Sequence, residues 1–351
     1  MLRFALECRS DRLLDALTPY EQVLIVTHDN PDPDAIATGW AVKHLVDERL
    51  AMPARFVAGG EIIRAENRQM IRLLDPPLEL VTDLDGDDRT AAILVDCGMA
   101  AGNHLDLTGG VVPVAVIDHH VTTGPLEELP FADVRPNVAA SASIAAGYLR
   151  EQQVEPGQAL ATALVYAIRS ETQGFETYHS PLDRTILPWL TERADPELLA
   201  EIESAPLSRG YYSDLVLALQ NTFLYGDVAF CALPRAGGPE IVGEVADLLI
   251  RCESVRRALC AAAYRGDVVL SVRTERRGDD ASELLRATID GLGRGGGHQH
   301  RAGGKIPHCG LHRCLSEALR DDLRDRWLAA CGVDRQRGRR LIARRAIVQN
   351  L

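Results

Sequence analysis

Apolar and polar positions along the first half of the chain alternate between two periods. Gln22 to Thr27 is a short apolar, β-branched run that ends in a turn-rich loop, and Ala35 to Leu50 then carries the 3.6-residue period of a helix. Ala54 to Val57 reads as a second strand, and Arg64 to Leu74 as a helix with Met70, Ile71 and Leu74 on one face. Ala91 to Asp96 and Val112 to Asp118 are continuous apolar runs, each ending in an aspartate. Strands that are apolar throughout are buried on both faces, so the pattern predicts a parallel α/β sheet. Ligands in such sheets bind beyond the carboxyl ends of the strands.

A mostly helical stretch follows, with helices expected over Ser141–Glu151, Pro156–Ser170, Pro181–Leu190 and Pro196–Ser204, each opening near a capping residue or a first-turn proline. Leu207 to Leu224 reads as a longer connecting helix. A second α/β pattern comes next: strand Val228–Leu233, helix Glu240–Cys252, strands Ala258–Tyr264 and Val268–Arg273, and helix Ala281–Ile289. The glycine run from Gly291 to His298 reads as a loop, and a helix from about Leu311 to Cys331 closes the domain. The expected architecture is α/β: an N-terminal parallel-sheet domain with helices on both faces, then a smaller α/β C-terminal domain. The boundaries read as 1–195 for the first domain, 196–225 for a helical linker, 226–331 for the second domain and 332–351 for a tail.

Charge sharpens this division. The 351 residues carry a formal net charge of −12. Residues 1–200 hold 31 acids and 15 bases, residues 201–331 hold 18 acids and 17 bases, and residues 332–351 hold one acid and six arginines. The acid surplus therefore belongs to the first domain, and the basic tail reads as a solvated terminal helix. An acidic chain is ill suited to wrapping long nucleic acid, yet a short phosphorylated substrate remains compatible. No apolar run approaches the roughly 18 residues of a membrane helix, and the N-terminus is charged too early for a secretory signal. Eight cysteines without a Cys-x-x-Cys pair fit reduced thiols in the cytoplasm. The cluster His308, Cys309, His312 and Cys314 matches no common zinc spacing and reads as the start of a helix.

Candidate chemistry gathers at the ends of the predicted elements. His28, Asp32 and Asp34 share a proline-stiffened loop between a strand and a helix. Asp96 ends one strand, Asp118-His119-His120 ends the next, and Glu171 ends a helix. Singly, each has an ordinary structural explanation as a cap, a turn or a packed histidine. Together they bring carboxylates and imidazoles to one sheet edge, a ligand mixture that suits two Mn²⁺-like ions. Two such ions clamp a phosphoryl group and activate water.

His28-x-x-x-Asp32-x-Asp34, Asp96, Asp118-His119-His120, Gly295-Gly-Gly-His298 and Ala302-Gly-Gly304 occur in the same order as in the DHH phosphoesterase family. The glycine-histidine block resembles the DHH-associated C-terminal domain, and the length resembles the bacterial nano-RNases and pAp phosphatases. The resemblance implies a cofactor of two divalent ions, Mn²⁺ by preference. It implies His28, Asp32 and Asp96 as ligands of one ion, and Asp34, Asp96, His119 and Glu171 as ligands of the other, with Asp96 bridging. It gives Asp118 the orienting of the histidines and His120 a contact to a phosphate oxygen. Arg273, Gly295, Gly296, Gly297, His298 and Arg301 would contact substrate, with Lys305 and Ser271 as further candidates. The family's fourth motif has Asp-Thr where this chain has Glu171-Thr172, which puts the second ion in question.

The implied activity is hydrolysis of short oligoribonucleotides to mononucleotides, with pAp and cyclic-dinucleotide products as further substrates and a homodimer as the assembly. Two alternatives stand beside it: a polyphosphate or pyrophosphate hydrolase, and a nucleotide-binding sensor with little catalysis.

Overall fold

The computed structural model describes residues 8–100, 102–107, 110–120, 126–172, 179–275, 278–297, 299–307, 314–334 and 337–342. The chain divides into two compact units, Met1–Ala205 and Pro206–Leu351.

In the first unit the elements run α1 (Arg9–Leu17), β1 (Gln22–Val26), α2 (Pro33–Leu50), β2 (Ala54–Ala58), α3 (Ala65–Leu74), β3 (Leu78–Leu80), β4 (Thr90–Val95), β5 (Val112–Asp118) and β6 (Phe131–Val134). Four helices follow: α4 (Ser141–Glu151), α5 (Gln158–Thr172), α6 (Pro181–Thr191) and α7 (Pro196–Glu203). The six strands form one sheet in the order β3-β2-β1-β4-β5-β6, with every neighbouring pair parallel. The parallel α/β sheet is as the apolar runs predict.

Side-chain alternation sorts the strands onto two faces. Val23, Ile25, Ile93, Val95 and Ile117 point into the helices, where they meet Ile36, Val42, Leu45, Met70, Ile144 and Leu164. Leu24, Val26, Ala92, Leu94 and Val116 point the other way and meet Cys97, Leu105, Leu107 and Val111 from the β4–β5 connection. Leu126, in a 3₁₀ turn, packs at the edge of that second cluster. Among the described residues the α-helices thus lie on one face, a departure from the expected helices on both. The β4–β5 connection holds no α-helix to cover the second face among its described residues, so its own apolar residues do so. On the helical face, Gly39 in α2 allows close packing: a Cβ at that position would lie 2.1 Å from the Phe56 ring.

The second unit runs α8 (Arg209–Asn221), β7 (Thr222–Tyr225), β8 (Val228–Leu233), α9 (Glu240–Leu249), β9 (Arg257–Tyr264), β10 (Asp267–Thr274), α10 (Ala281–Ile289), β11 (Arg294–Gly297), β12 (Arg301–Ile306), α11 (Glu317–Ala330) and β13 (Arg339–Arg340). Its sheet order is β11-β12-β10-β9-β8-β7-β13, with β8 and β9 parallel and the other pairs antiparallel. One face packs on α10 and α11 around Trp327, whose indole N–H donates to the Ala229 carbonyl at 3.1 Å. The other face packs on α8 and α9.

Several elements differ from the reading of the sequence. Short strands β3 and β6 were not expected, because three or four residues at a sheet edge carry too little periodicity to detect, and helix α1 was also not expected. α7, in the expected linker, packs Leu199 and Ile202 into the core of the first unit. The expected connecting helix stops at Asn221. The β-forming run Thr222–Tyr225 pairs back on β8 through a turn in which Gly226 has φ 63°. The glycine run is a strand, not a loop: β11 pairs with β12, Gly295 opposite Gly304 and Gly296 opposite Gly303. In the tail, Arg339 and Arg340 form an edge strand on β7 instead of a solvated helix, and the Arg340 guanidinium lies 4.8 Å from the Phe223 ring centre. Of the unmatched zinc-like cluster, His308, Cys309 and His312 lie outside the described residues, and Cys314 is exposed.

Candidate metal centre

Parallel strands deliver their carboxyl ends to one edge, and there the chain turns into loops or helices. His28 follows β1, Asp32 and Asp34 open α2, Asp96 follows β4, Asp118 is the last residue of β5, and Glu171 lies in the last turn of α5. Asp32 is also the N-cap of α2, accepting the Ala35 N–H at 3.0 Å, with Pro33 in the first helical position. Local capping chemistry thus orients a carboxylate that also faces His28.

Two donor groups share one residue. His28, Asp32 and Asp96 present ligand atoms within 4.8 Å of one another, and so do Asp96, His119 and His120. His28 Nε2 lies 3.6 Å from Asp96 Oδ2 and 4.0 Å from Asp32 Oδ1. His119 Nε2 lies 3.6 Å from both Asp34 Oδ2 and Asp96 Oδ1. Asp96 therefore shows one oxygen to each side. These separations are too long for hydrogen bonds. Two ligands bound at about 2.1 Å to one ion stand roughly 3–3.6 Å apart, which is close to the spacing observed.

The remaining ring nitrogens agree with this assignment. His28 Nδ1 lies 3.0 Å from the Asp29 carbonyl, and His119 Nδ1 lies 3.3 Å from the Val138 carbonyl. A carbonyl can only accept, so each Nδ1 carries a proton and Nε2 is the ring nitrogen left to meet a cation beside the carboxylates. His120 differs. Its Nδ1 and its backbone N–H both donate to Asp118 Oδ1, at 2.8 and 3.0 Å, and the ring remains partly exposed.

Burial makes the charge balance acute. Asp34, Asp96 and Asp118 are 1%, 3% and 0% exposed. Burial and the charges of Asp96, Glu171 and Asp32 push the Asp34 carboxyl well up from its ordinary range. Burial also opposes ionisation of Asp96, but His28, His120 and His119 outweigh it and hold that carboxyl low. Burial lowers His28, yet Asp96 and Asp32 more than compensate and raise it to about 9. Burial lowers His120 likewise, and Asp118 and Asp96 raise it to about 9. His119 is lowered by burial and by His120. Asp118 Oδ2 is buried with no hydrogen-bond partner among the described residues. Crowded buried carboxylates, one of them with an orphaned oxygen, fit a bound divalent cation. Asp96 itself sits at φ 55°, a left-handed conformation that costs a non-glycine residue stability and tends to occur at functional sites.

Sequence reasoning missed two supports. Ser141, at the start of α4, bonds both Asp96 and Asp34; a serine at a helix start reads as an ordinary cap. The segment between β4 and β5 pins the His28 loop, through a bridge between His28 and His104 and a 2.6 Å bond from the Asp29 N–H to the Asn103 carbonyl. No local signal marks that pairing.

The expected substrate contacts fall in the second unit. Arg273 is held by Asp247 in a two-point pair at 2.6 and 3.1 Å, and also donates to Ser271 Oγ at 2.7 Å. Lys305 pairs with Asp267 at 2.5 Å. Gly295, Gly296 and Gly297 lie in β11, and Arg301 opens β12 opposite Arg273. His298 lies outside the described residues.

The parallel α/β unit thus gathers carboxylates and imidazoles at its strand ends, in groups that could hold a metal ion. Residues 22–168 match the DHH family, N-terminal domain. An uncharacterized protein of Methanocaldococcus jannaschii is 33% identical over 301 residues, covering 85% of this chain. The aligned region spans 61% of that relative's length. An exopolyphosphatase-related protein from Bacteroides fragilis has a similar fold, with a TM-score of 0.71 over 94% of this chain and 98% of its own, at 12% identity. RecJ in complex with Mn²⁺ from Thermus thermophilus aligns over 92% of this chain and 54% of its own, at 18% identity and a TM-score of 0.47.

Proposed function

We propose that this protein is a divalent-metal-dependent phosphoester hydrolase whose substrates are short oligoribonucleotides or small phosphorylated nucleotides. The observation that carries the reading is the pair of donor groups sharing Asp96. His28 and Asp32 would hold one ion, Asp34 and His119 the other, with Glu171 at the edge of the second. Mn²⁺ is the ion that this mixture of carboxylate and imidazole suits. When bound, two such ions supply charge neutralisation and an activated water at the scissile phosphate.

The chain's own residues do the rest. Asp118 fixes the His120 ring through Nδ1, which leaves the exposed side of the ring to meet a phosphate oxygen as negative charge develops there. The bonds from His28 and His119 to backbone carbonyls set the tautomers that keep each Nε2 ready to ligate. The second unit supports the substrate reading through the row Gly296, Gly303 and Ser271, beside Arg273 and Arg301, where glycines let a planar or anionic group approach the backbone. The size of the proposed clients follows from the charge of −12, which disfavours long polyanions.

The test is turnover by the full chain, stripped of metal with chelator and resupplied with Mn²⁺. Labelled di- to pentanucleotides, pAp, pyrophosphate and polyphosphate would be offered in parallel. Mononucleotide release is expected, dependent on added metal, and lowered at least about 100-fold in Asp96→Ala. Undiminished turnover by Asp96→Ala would sink the site assignment. Phosphate release from polyphosphate or pyrophosphate alone would change the substrate class, and tight nucleotide binding without turnover would make the chain a sensor.

A further inference from the structure

The first turn of α4 touches two candidate ligands at once. The Ser141 hydroxyl donates to Asp96 Oδ1 at 2.8 Å, and the Ser141 backbone N–H donates to Asp34 Oδ2 at 2.8 Å. The next amide, Ala142 N–H, donates to Asp34 Oδ1 at 2.7 Å. Helix α4 has no side-chain cap of its own, because Ala140 occupies the N-cap position. Asp34 supplies that cap from α2, accepting the first two amides of α4. The segment leading into α4 is anchored as well, since the Ala139 N–H donates to Asp183 Oδ2 at 3.1 Å.

The consequence for Asp96 is directional. Its Oδ2 faces His28 and its Oδ1 faces His119, both at 3.6 Å. A carboxylate serving two ions must show one oxygen to each, and rotation of the carboxylate would spoil that presentation. The Ser141 hydroxyl on Oδ1 opposes the rotation, while its amide holds Asp34 in place. Both bonds are buried, so water does not compete for them.

We infer that Ser141 is a positioning residue that fixes the relative orientation of Asp96 and Asp34 before a cation arrives. The inference rests on the metal reading above. Pre-arranged ligands do not have to be ordered during binding, so the effect of Ser141 falls on metal affinity first.

Ser143 provides the control. It lies in the same turn, is fully buried, and its Oγ has no hydrogen-bond partner among the described residues. Metal-free full-length chain would be titrated with Mn²⁺ by calorimetry, and thermal melting of the metal-free protein would be followed by circular dichroism. Ser141→Ala is expected to weaken Mn²⁺ binding by about 10–100-fold while the metal-free protein stays folded. Ser143→Ala is expected to bind Mn²⁺ as the parent does, and Ser141→Thr, which restores a hydroxyl, to recover most of the lost affinity. Ser141→Cys keeps the volume with only a weak donor, so it reports the hydrogen bond even if alanine disturbs the helix. Unchanged affinity in Ser141→Ala, or an equal loss in Ser143→Ala, would overturn the inference. A parent chain that takes up no Mn²⁺ would instead overturn the metal reading itself.

Discussion

Replacing Gly295 and Gly296 by alanine, one at a time, separates packing from binding in the glycine run. A Cβ at Gly295 would lie 2.8 Å from Leu285 Cδ2, 2.9 Å from the Gly303 carbonyl oxygen and 3.0 Å from Gly304 Cα. Leu285 can rotate away, but the other two atoms belong to the backbone of β12, which is held in register with β11. Relief requires the two strands to part, and overpacking of this kind costs about 1–3 kcal/mol. For a unit of about 150 residues, each kcal/mol shifts the melting temperature by roughly 2–4 °C, so a fall of roughly 2–12 °C is expected. At Gly296 nothing lies within 4 Å of the added atom among the described residues. Alanine there restricts the unfolded chain and should leave stability unchanged or raise it by up to about 1 kcal/mol. The assay is differential scanning calorimetry of the full chain, with circular dichroism to separate the transitions of the two units. Equal falls at both positions, or a Gly295→Ala cost under about 0.5 kcal/mol, would refute the assignment of different jobs to adjacent glycines.

Three further outcomes follow from the same geometry. Asp118→Ala removes the acceptor that holds His120 and should lower kcat by roughly 10–100-fold at saturating Mn²⁺, measured by single-turnover hydrolysis; an unchanged kcat would remove the role given to this pair. Trp327→Phe loses the 3.1 Å bond to the Ala229 carbonyl and part of the packing around it. It should cost about 1–3 kcal/mol, read as a lower urea midpoint at constant slope. Asp96→Ala, tested against labelled oligonucleotides, should abolish metal-dependent turnover and also lower the melting temperature of the metal-free protein, because buried His28 and Ser141 lose their carboxylate partner.

Much of the first unit was legible in the chain. Continuous apolar strands and intervening helical periods determined a parallel sheet, and a parallel sheet collects its strand ends on one edge. That alone brought His28, Asp34, Asp96 and His119 into one place from residues far apart in sequence. The order of the motifs was equally visible, because strand ends and helix starts are where short polar residues survive between apolar runs. Other features had no local signature. Ser141 looks like any helix-opening serine, and only the packing of α2 against α4 brings Asp34 to its amides. Arg273 reads as an open cation, yet α9 brings Asp247 to its guanidinium. The glycine run reads as a loop by composition, and only pairing with β12 makes it a strand, because glycine carries no side chain whose alternation could betray a sheet. The covering of the second sheet face by the β4–β5 connection was hidden for a related reason: the connection has no period. Periodicity and spacing determined which elements form and which edge holds the chemistry. Tertiary structure decided which oxygen faces which histidine, since a hydrogen bond between residues distant in sequence depends on how helices pack and leaves no pattern along the chain.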